Sequence, residues 1–326
     1  MSARARAVSI TALVAVLAAG LVVAFAARSG GEPAPQARAK PRAGAPPLAL
    51  DLGVRDDPEA KDLRQALGLY DLGKRAGARA LFARHDSLEA QVGADVAAWP
   101  DGTVSNLARL LALYPKSSLV QLELGLALFW AGRPGAEDAW RQAAVLQPDT
   151  AYAVTAENLL YPQYAKNLPV FVPERLSLFG RLGRASAAQQ LRVLRRWAAQ
   201  GVDGDMTVGH LLYGVALQRL ARPLSARREF DRAAELSPND PEALTAAAVG
   251  HFEKADPSAA FSRLGPLAKR FPRSATVRFH LGLLLLWIGS VEQAKKELRL
   301  ATTVEPGSPA AREARQYLET LAKVGR

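Results

Sequence analysis

No cysteine occurs in the 326 residues. Disulfide stapling, thiolate nucleophiles and cysteine-ligated zinc are thereby excluded, while the redox compartment is left open. Histidine is scarce as well: His85, His210, His251 and His280 are the only four, and none belongs to a metal-ligand motif such as HExxH. A GxSxG nucleophile elbow and a phosphate-cradling glycine loop are both missing. Asp203-Gly204-Asp205 has the first residues of a calcium loop but not the later ligands, and reads as a turn. Charge of one sign is not concentrated in the body of the chain. Of the net +11, residues 1–55 carry +5, and the remaining +6 is spread over the rest, a weak footprint for nucleic acid. These absences point away from an enzyme, a metalloprotein, a cofactor carrier and a nucleic-acid binder.

What is present is a period. Gly214, Ala248 and Gly282 stand 34 residues apart, as do Ala226, Ala260 and Ala294, then Phe230, Leu264 and Leu298, then Pro238, Pro272 and Pro306. Small residues belong where two helices cross closely, the larger apolar residue fills the space beside them, and proline stops a helix. A second copy of the pattern lies upstream, where Leu124–Gly132 (LGLALFWAG) nearly duplicates Leu281–Gly289 (LGLLLLWIG). This arithmetic resembles the tetratricopeptide repeat, a helix–turn–helix unit of 34 residues. The resemblance implies an all-α fold, a TPR-type helical-hairpin solenoid of about seven helix pairs closed by a capping helix at Pro309–Lys323, in which Gly125, Gly214 and Gly282 serve the close crossings.

Five regions follow from the pattern. Residues 1–28 hold Arg4 and Arg6 and then Val8–Ala27, twenty residues without a charge, about 30 Å as a helix and enough to cross a bilayer core. An uncleaved signal anchor is the expectation; cleavage at Ala24-Phe25-Ala26 is the alternative. Residues 29–57, rich in Pro and Ala, read as a disordered linker. Divergent repeats are expected at 58–160, with Thr103 as a helix cap, and regular repeats with the capping helix at 185–326. Between them, 161–184 is an insertion: Pro148 to Pro238 is 90 residues where two repeats take 68. That insertion is punctuated by Pro162, Pro169 and Pro173 and is apolar at Leu168–Pro173.

The resemblance also implies where a partner would bind. In this family first helices line a concave groove. The corresponding residues here are Leu122, Leu126, Phe129, Trp130, Leu211, Val215, Arg219, Phe252, Phe279, Leu283, Leu286 and Trp287. They are too apolar to face water, so the chain itself, a second copy or a partner must cover them. The insertion is the segment expected to do so. The functional expectation is a non-catalytic scaffold for protein–protein interaction, binding a protein or peptide partner and tethered to the bacterial cytoplasmic membrane through residues 8–27. The repeats are expected on the extracytoplasmic side, although the basic residues flanking the apolar run lean the other way. Two alternatives stand beside it: an envelope-complex assembly factor like the membrane-anchored repeat proteins of cytochrome c maturation, and an enzyme with its site in 161–184.

Overall fold

The computed structural model describes residues 41–324. The apolar run at 8–27, and with it the expected anchor, lies outside them; among the described residues no helix is long and apolar enough to cross a membrane. Those residues contain α-helices, one 3-10 helix and no named strand. They divide into two compact units that meet in sequence between Leu160 and Tyr161.

The N-terminal unit holds α1 (Pro58–Asp71), α2 (Arg75–Phe82), α3 (Leu88–Ala97), α4 (Thr103–Leu113), α5 (Ser118–Trp130), α6 (Ala136–Leu146) and α7 (Ala151–Leu160). Each odd helix packs antiparallel-hairpin fashion on the even helix after it, and α1, α3, α5 and α7 also pack on one another in series. The result is an inner layer of first helices and an outer layer of second helices. Local signals set the boundaries. Asp57, Ser87 and Ser117 accept hydrogen bonds from N2 or N3 amides at the starts of α1, α3 and α5. At α4 the cap differs from the expectation. Gly102, at φ +72°, holds the cap position, and Thr103 is the first helical residue, its hydroxyl donating to the Asp95 carbonyl. Only glycine takes that backbone conformation without strain.

The C-terminal unit opens with the insertion, whose only helix is the 3-10 stretch Leu176–Leu182. There follow α8 (Ala187–Gln200), α9 (Met206–Arg219), α10 (Pro223–Leu236), α11 (Pro241–Gly250), α12 (Ser258–Arg270), α13 (Ala275–Trp287), α14 (Val291–Val304) and α15 (Pro309–Val324). Here α9, α11, α13 and α15 form the inner series. Asp203-Gly204-Asp205 is the tight turn before α9, with Asp205 capping the helix through the Val208 amide. The repeat glycines sit at close crossings: a Cβ at Gly125 would lie 2.4 Å from the Trp140 ring, at Gly214 2.4 Å from Phe230, and at Gly282 2.9 Å from Leu298. On α15, Ala310, Ala311, Ala314, Tyr317 and Leu321 are buried and Arg312 and Arg315 exposed, the one wet face a terminal helix needs.

The inner helices are apolar on most of their surface. On α5 nine of the ten residues from Ser118 to Ala127 are buried, Gln121 being the exception, and on α13 burial covers both faces. A helix in that state needs neighbours on every side, and the outer layer supplies only some of them.

Candidate functional site: two strapped grooves

Inside each unit the missing neighbour is an extended stretch of the unit's own chain. In the C-terminal unit it is the insertion. Phe171 is 1% exposed, packs edge-on against Phe230 and stacks on His280 with ring centroids 4.7 Å apart. It shares a packed cluster with Leu211 and Val215. Ala165, Leu168 and Val172 share another with Phe252, Phe279, Leu283, Leu286 and Trp287. The expected cover of these groove residues is therefore observed.

Packing is only half of the hold. Side chains of the inner helices also grip the strap's backbone. Gln218 on α9 donates from Nε2 to the Pro169 carbonyl (3.2 Å) and accepts the Phe171 amide at Oε1 (2.9 Å). His280 Nε2 on α13 accepts the Val172 amide at 3.0 Å, and Glu242 Oε1 on α11 accepts the Glu174 amide at 2.6 Å. Trp287 Nε1 donates to the Asn167 carbonyl, and Thr276 donates to the Glu174 carboxylate. One primary amide meeting a carbonyl and an amide two residues apart takes the place of a neighbouring strand. Arg219, the one basic residue of that set, is half-buried with its guanidinium 4.9 Å from the Phe179 ring; burial lowers its pKa to about 10.

In the N-terminal unit the cover comes from a segment read as disordered linker. Residues 41–52 are ordered, and Pro46, Leu48 and Leu52 are buried. Leu48 and Leu52 join the cluster of Leu63, Tyr70 and Leu119; Ala49 packs with Leu122, Leu126, Phe129 and Trp130. The backbone is gripped again: the Arg42 amide donates to the Trp130 carbonyl, Trp99 Nε1 to the Gly44 carbonyl, Tyr70 to the Pro46 carbonyl, the Ala49 amide to Glu123 Oε1 (2.7 Å) and the Asp51 amide to the Tyr152 hydroxyl. Arg42 lies over the Phe129 ring at 4.1 Å. The linker expectation fails from residue 41 onward for a physical reason. Burial of three apolar side chains and side-chain acceptors for its amides offset the ordering cost of an otherwise weakly hydrophobic segment.

The two straps correspond residue by residue. Glu123 and His280 each stand two places before the repeat glycine, Gly125 and Gly282. Each accepts the amide of the residue after the deepest apolar side chain, Ala49 after Leu48 and Val172 after Phe171. Laid on that pair, Pro46 meets Pro169, both buried, and Asp51 meets Glu174. The shared pattern is proline, any residue, large apolar, two residues, acid. The amide-to-acceptor contact spans 74 residues in the first unit and 108 in the second. All of the sequence-assigned groove residues thus lie in strapped layers, but Phe129, Trp130 and Arg219 remain half-buried while the other nine are buried. Of the gripping residues, Gln218 falls at a groove position of the repeat, beside Arg219, whereas Glu123, Glu242 and His280 do not. A polar residue inside an otherwise apolar first helix was their only mark in the sequence.

Titration of these groups is dominated by burial. It pushes the Glu123 carboxyl up to about 8, against the opposing pull of the Ala49 amide, and pushes Glu242 up to about 8 as well. The His280 imidazole is driven down to about 4 by burial, so it is neutral; its Nδ1–H donates to the Thr276 carbonyl and its Nε2 is free to accept Val172. A carboxyl raised in the fold holds its proton where the unfolded chain has lost it. Its contribution is full below about 4.3 and fades as pH rises to about 8. For His280 the contribution is full above about 6.5 and fades as pH falls to about 4. Urea unfolding of the N-terminal unit should therefore show less stability at pH 8 than at pH 5, and Glu123→Gln should flatten that slope. An unchanged slope in the variant would remove Glu123 as its source.

The remaining histidines pair locally: His85 with Asp62, His210 with Glu229 and His251 with Asp231. Among the described residues no group of three or more candidate ligands gathers. No family model matches the chain, and no curated protein matches it. Among solved structures it is similar to the crystal structure of yeast Tom70, at 13% identity and a TM-score of 0.37, over 94% of this chain and 55% of that one. It is also similar to a tetratricopeptide repeat protein from Parabacteroides merdae, at 11% identity and a TM-score of 0.32, over 81% of this chain and 98% of that one. The chain thus spans about half the length of Tom70.

Proposed function

We propose that this chain is a non-catalytic scaffold of the tetratricopeptide-repeat type, tethered to the bacterial cytoplasmic membrane through residues 8–27, with its repeat units on the extracytoplasmic side. Its work is to hold protein partners by extended segments. The observation that carries the reading is the side-chain grip on extended backbone, made twice with different residues (Glu123 in one groove, Gln218, Glu242 and His280 in the other). A groove that supplies amide and carbonyl partners to an unpaired strand is a binding site for extended polypeptide. The layout of apolar run, spacer and repeats fits a subunit or assembly factor of an envelope complex.

Fractionation tests the tether, and the straps refine how it should be done. Full-length protein is expected with membranes, and a chain starting at residue 41 is expected to be soluble. A chain starting at 58 lacks the first strap, uncovers Leu122, Leu126 and Glu123, and should aggregate or bind detergent. Protease added outside the cytoplasmic membrane should digest the repeats. Protection until that membrane is broken would reverse the orientation, and a mature N-terminus near Ala27 would remove the anchor. Pull-down from membranes with the strapped chain as bait should recover specific partners.

A further inference from the structure

The two grooves hold equivalent straps, and each has an unmet buried polar atom on an inner helix, Glu123 Oε2 in one and the Thr245 hydroxyl in the other, but the two equivalent gripping residues, Glu123 and His280, are not equally satisfied. In the C-terminal groove His280, the counterpart of Glu123, uses both ring nitrogens: Nδ1 donates to Thr276 and Nε2 accepts from Val172. In the N-terminal groove Glu123 is fully buried, spends Oε1 on the Ala49 amide, and leaves Oε2 buried with no hydrogen-bond partner. An unmet buried carboxyl oxygen is costly, so the resident strap is not the best occupant that groove can have. The straps differ in their apolar anchors as well. Phe171 stacks on His280 and meets Phe230 edge-on, ring–ring contacts that the aliphatic Leu48 in the equivalent place cannot make. The first strap joins its helices through Gly53–Asp57, a short turn with Gly53, Asp56 and Asp57 exposed and Gly53 at φ +52°.

We propose that the N-terminal groove is an exchangeable site in which residues 42–52 stand in for an extended segment of a protein partner, one with a large apolar residue at the Leu48 position and serine or threonine at the Ala49 position. The proposal rests on the reading of the grooves as sites for extended polypeptide and adds which groove opens and what it selects. The hydroxyl follows from chemistry. Ala49 packs on the α5 side of the groove, beside Glu123. A hydroxyl can donate to Oε2 or accept from it, and so satisfies the carboxyl whether or not it is protonated. Backbone pairing to Trp130, Trp99, Tyr70, Glu123 and Tyr152 is independent of ligand sequence and sets the direction of the segment. The C-terminal groove, with its gripping histidine saturated, stays closed.

The test uses the full-length chain with a protease site inserted after Gly53, cut so that the first strap is held without a covalent link. A fluorescent peptide of residues 41–53 should be taken up by the cut chain, and its Ala49→Ser version should bind about tenfold tighter, the effect of about one added hydrogen bond. The Leu48→Asp peptide should not bind, and in a Glu123→Met chain the serine advantage should vanish. In the uncut protein, hydrogen exchange at the Ala49 and Asp51 amides should run at least about a hundredfold faster than at Val172 and Glu174. Equal binding of the alanine and serine peptides overturns this inference and leaves the groove reading intact. A cut chain that loses its strap, keeps its helices and takes up no peptide overturns the groove reading itself. If the cut chain never releases its strap and the two sets of amides are equally protected, exchangeability is wrong.

Discussion

Gly209→Ala should cost the C-terminal unit about 3 kcal/mol or more, the upper end of what one added methyl does in a packed site. A Cβ built on Gly209 would lie 2.0 Å from the Trp197 carbonyl oxygen and 2.5 Å from its carbon. Those are backbone atoms of α8, so no side chain can turn aside to make room. Separating α8 from α9 would loosen Leu194, Val208, Leu212 and Phe179, which pack in one cluster. Urea or thermal unfolding measures it, with Gly68→Ala as the control. Gly68 is an exposed α1 residue with nothing within 4 Å of its Cβ position, and alanine there should stabilise by about 0.5–1 kcal/mol through helix propensity. A Gly209→Ala protein as stable as wild type would mean that α8 and α9 do not approach as described.

Phe171→Ala should be comparably severe, by a different route. Removing a buried phenyl ring costs about 3–5 kcal/mol where the surroundings cannot collapse. Here the strap can instead leave the groove, which limits the loss to the free energy of strap opening. Detachment has its own signature: rapid cleavage by added protease within 161–183 while the helical content of α9–α15 persists. Leu48→Ala in the equivalent place should release the first strap with a smaller loss, since Leu48 makes no ring stacking. A Phe171→Ala chain with unaltered stability and unaltered cleavage would show that the strap adds nothing to the unit.

The helices are largely legible in the sequence. Glycine, alanine, leucine and proline at a 34-residue period are the direct imprint of one packing problem solved repeatedly, and they place α9–α14 closely. Proline spacing and the apolar run Leu168–Pro173 were also enough to mark the second strap and its destination. The first strap was not legible. Leu48, Leu50 and Leu52 are few, they sit among prolines and small residues, and local composition gives such a segment every appearance of a spacer. Its order comes from Glu123, Tyr152 and Trp130, more than 70 residues away in sequence. Gly209 stands five residues before Gly214 and outside the repeat register, so the period does not mark it. Tyr317 carries no such mark either, because an aromatic at the end of a stack has no repeat to match; its ring lies 5.9 Å from Phe279.

The two spans over which the straps reach their gripping residues differ by 34, one hairpin. Closing a chain loop of 108 rather than 74 residues costs only about 0.3 kcal/mol more, because the entropy of closure grows with the logarithm of length. The strap contact is therefore nearly indifferent to how many hairpins lie inside the loop. What it does depend on is where the layer stops: Glu123 is on α5 with α7 beyond it, and His280 is on α13 with α15 beyond it, the last-but-one inner helix each time. A unit of this kind can lengthen by a whole hairpin and keep its closure, provided the growth is internal. The same addition past the final helix would leave the strap gripping in the middle of the layer and the new inner helix bare.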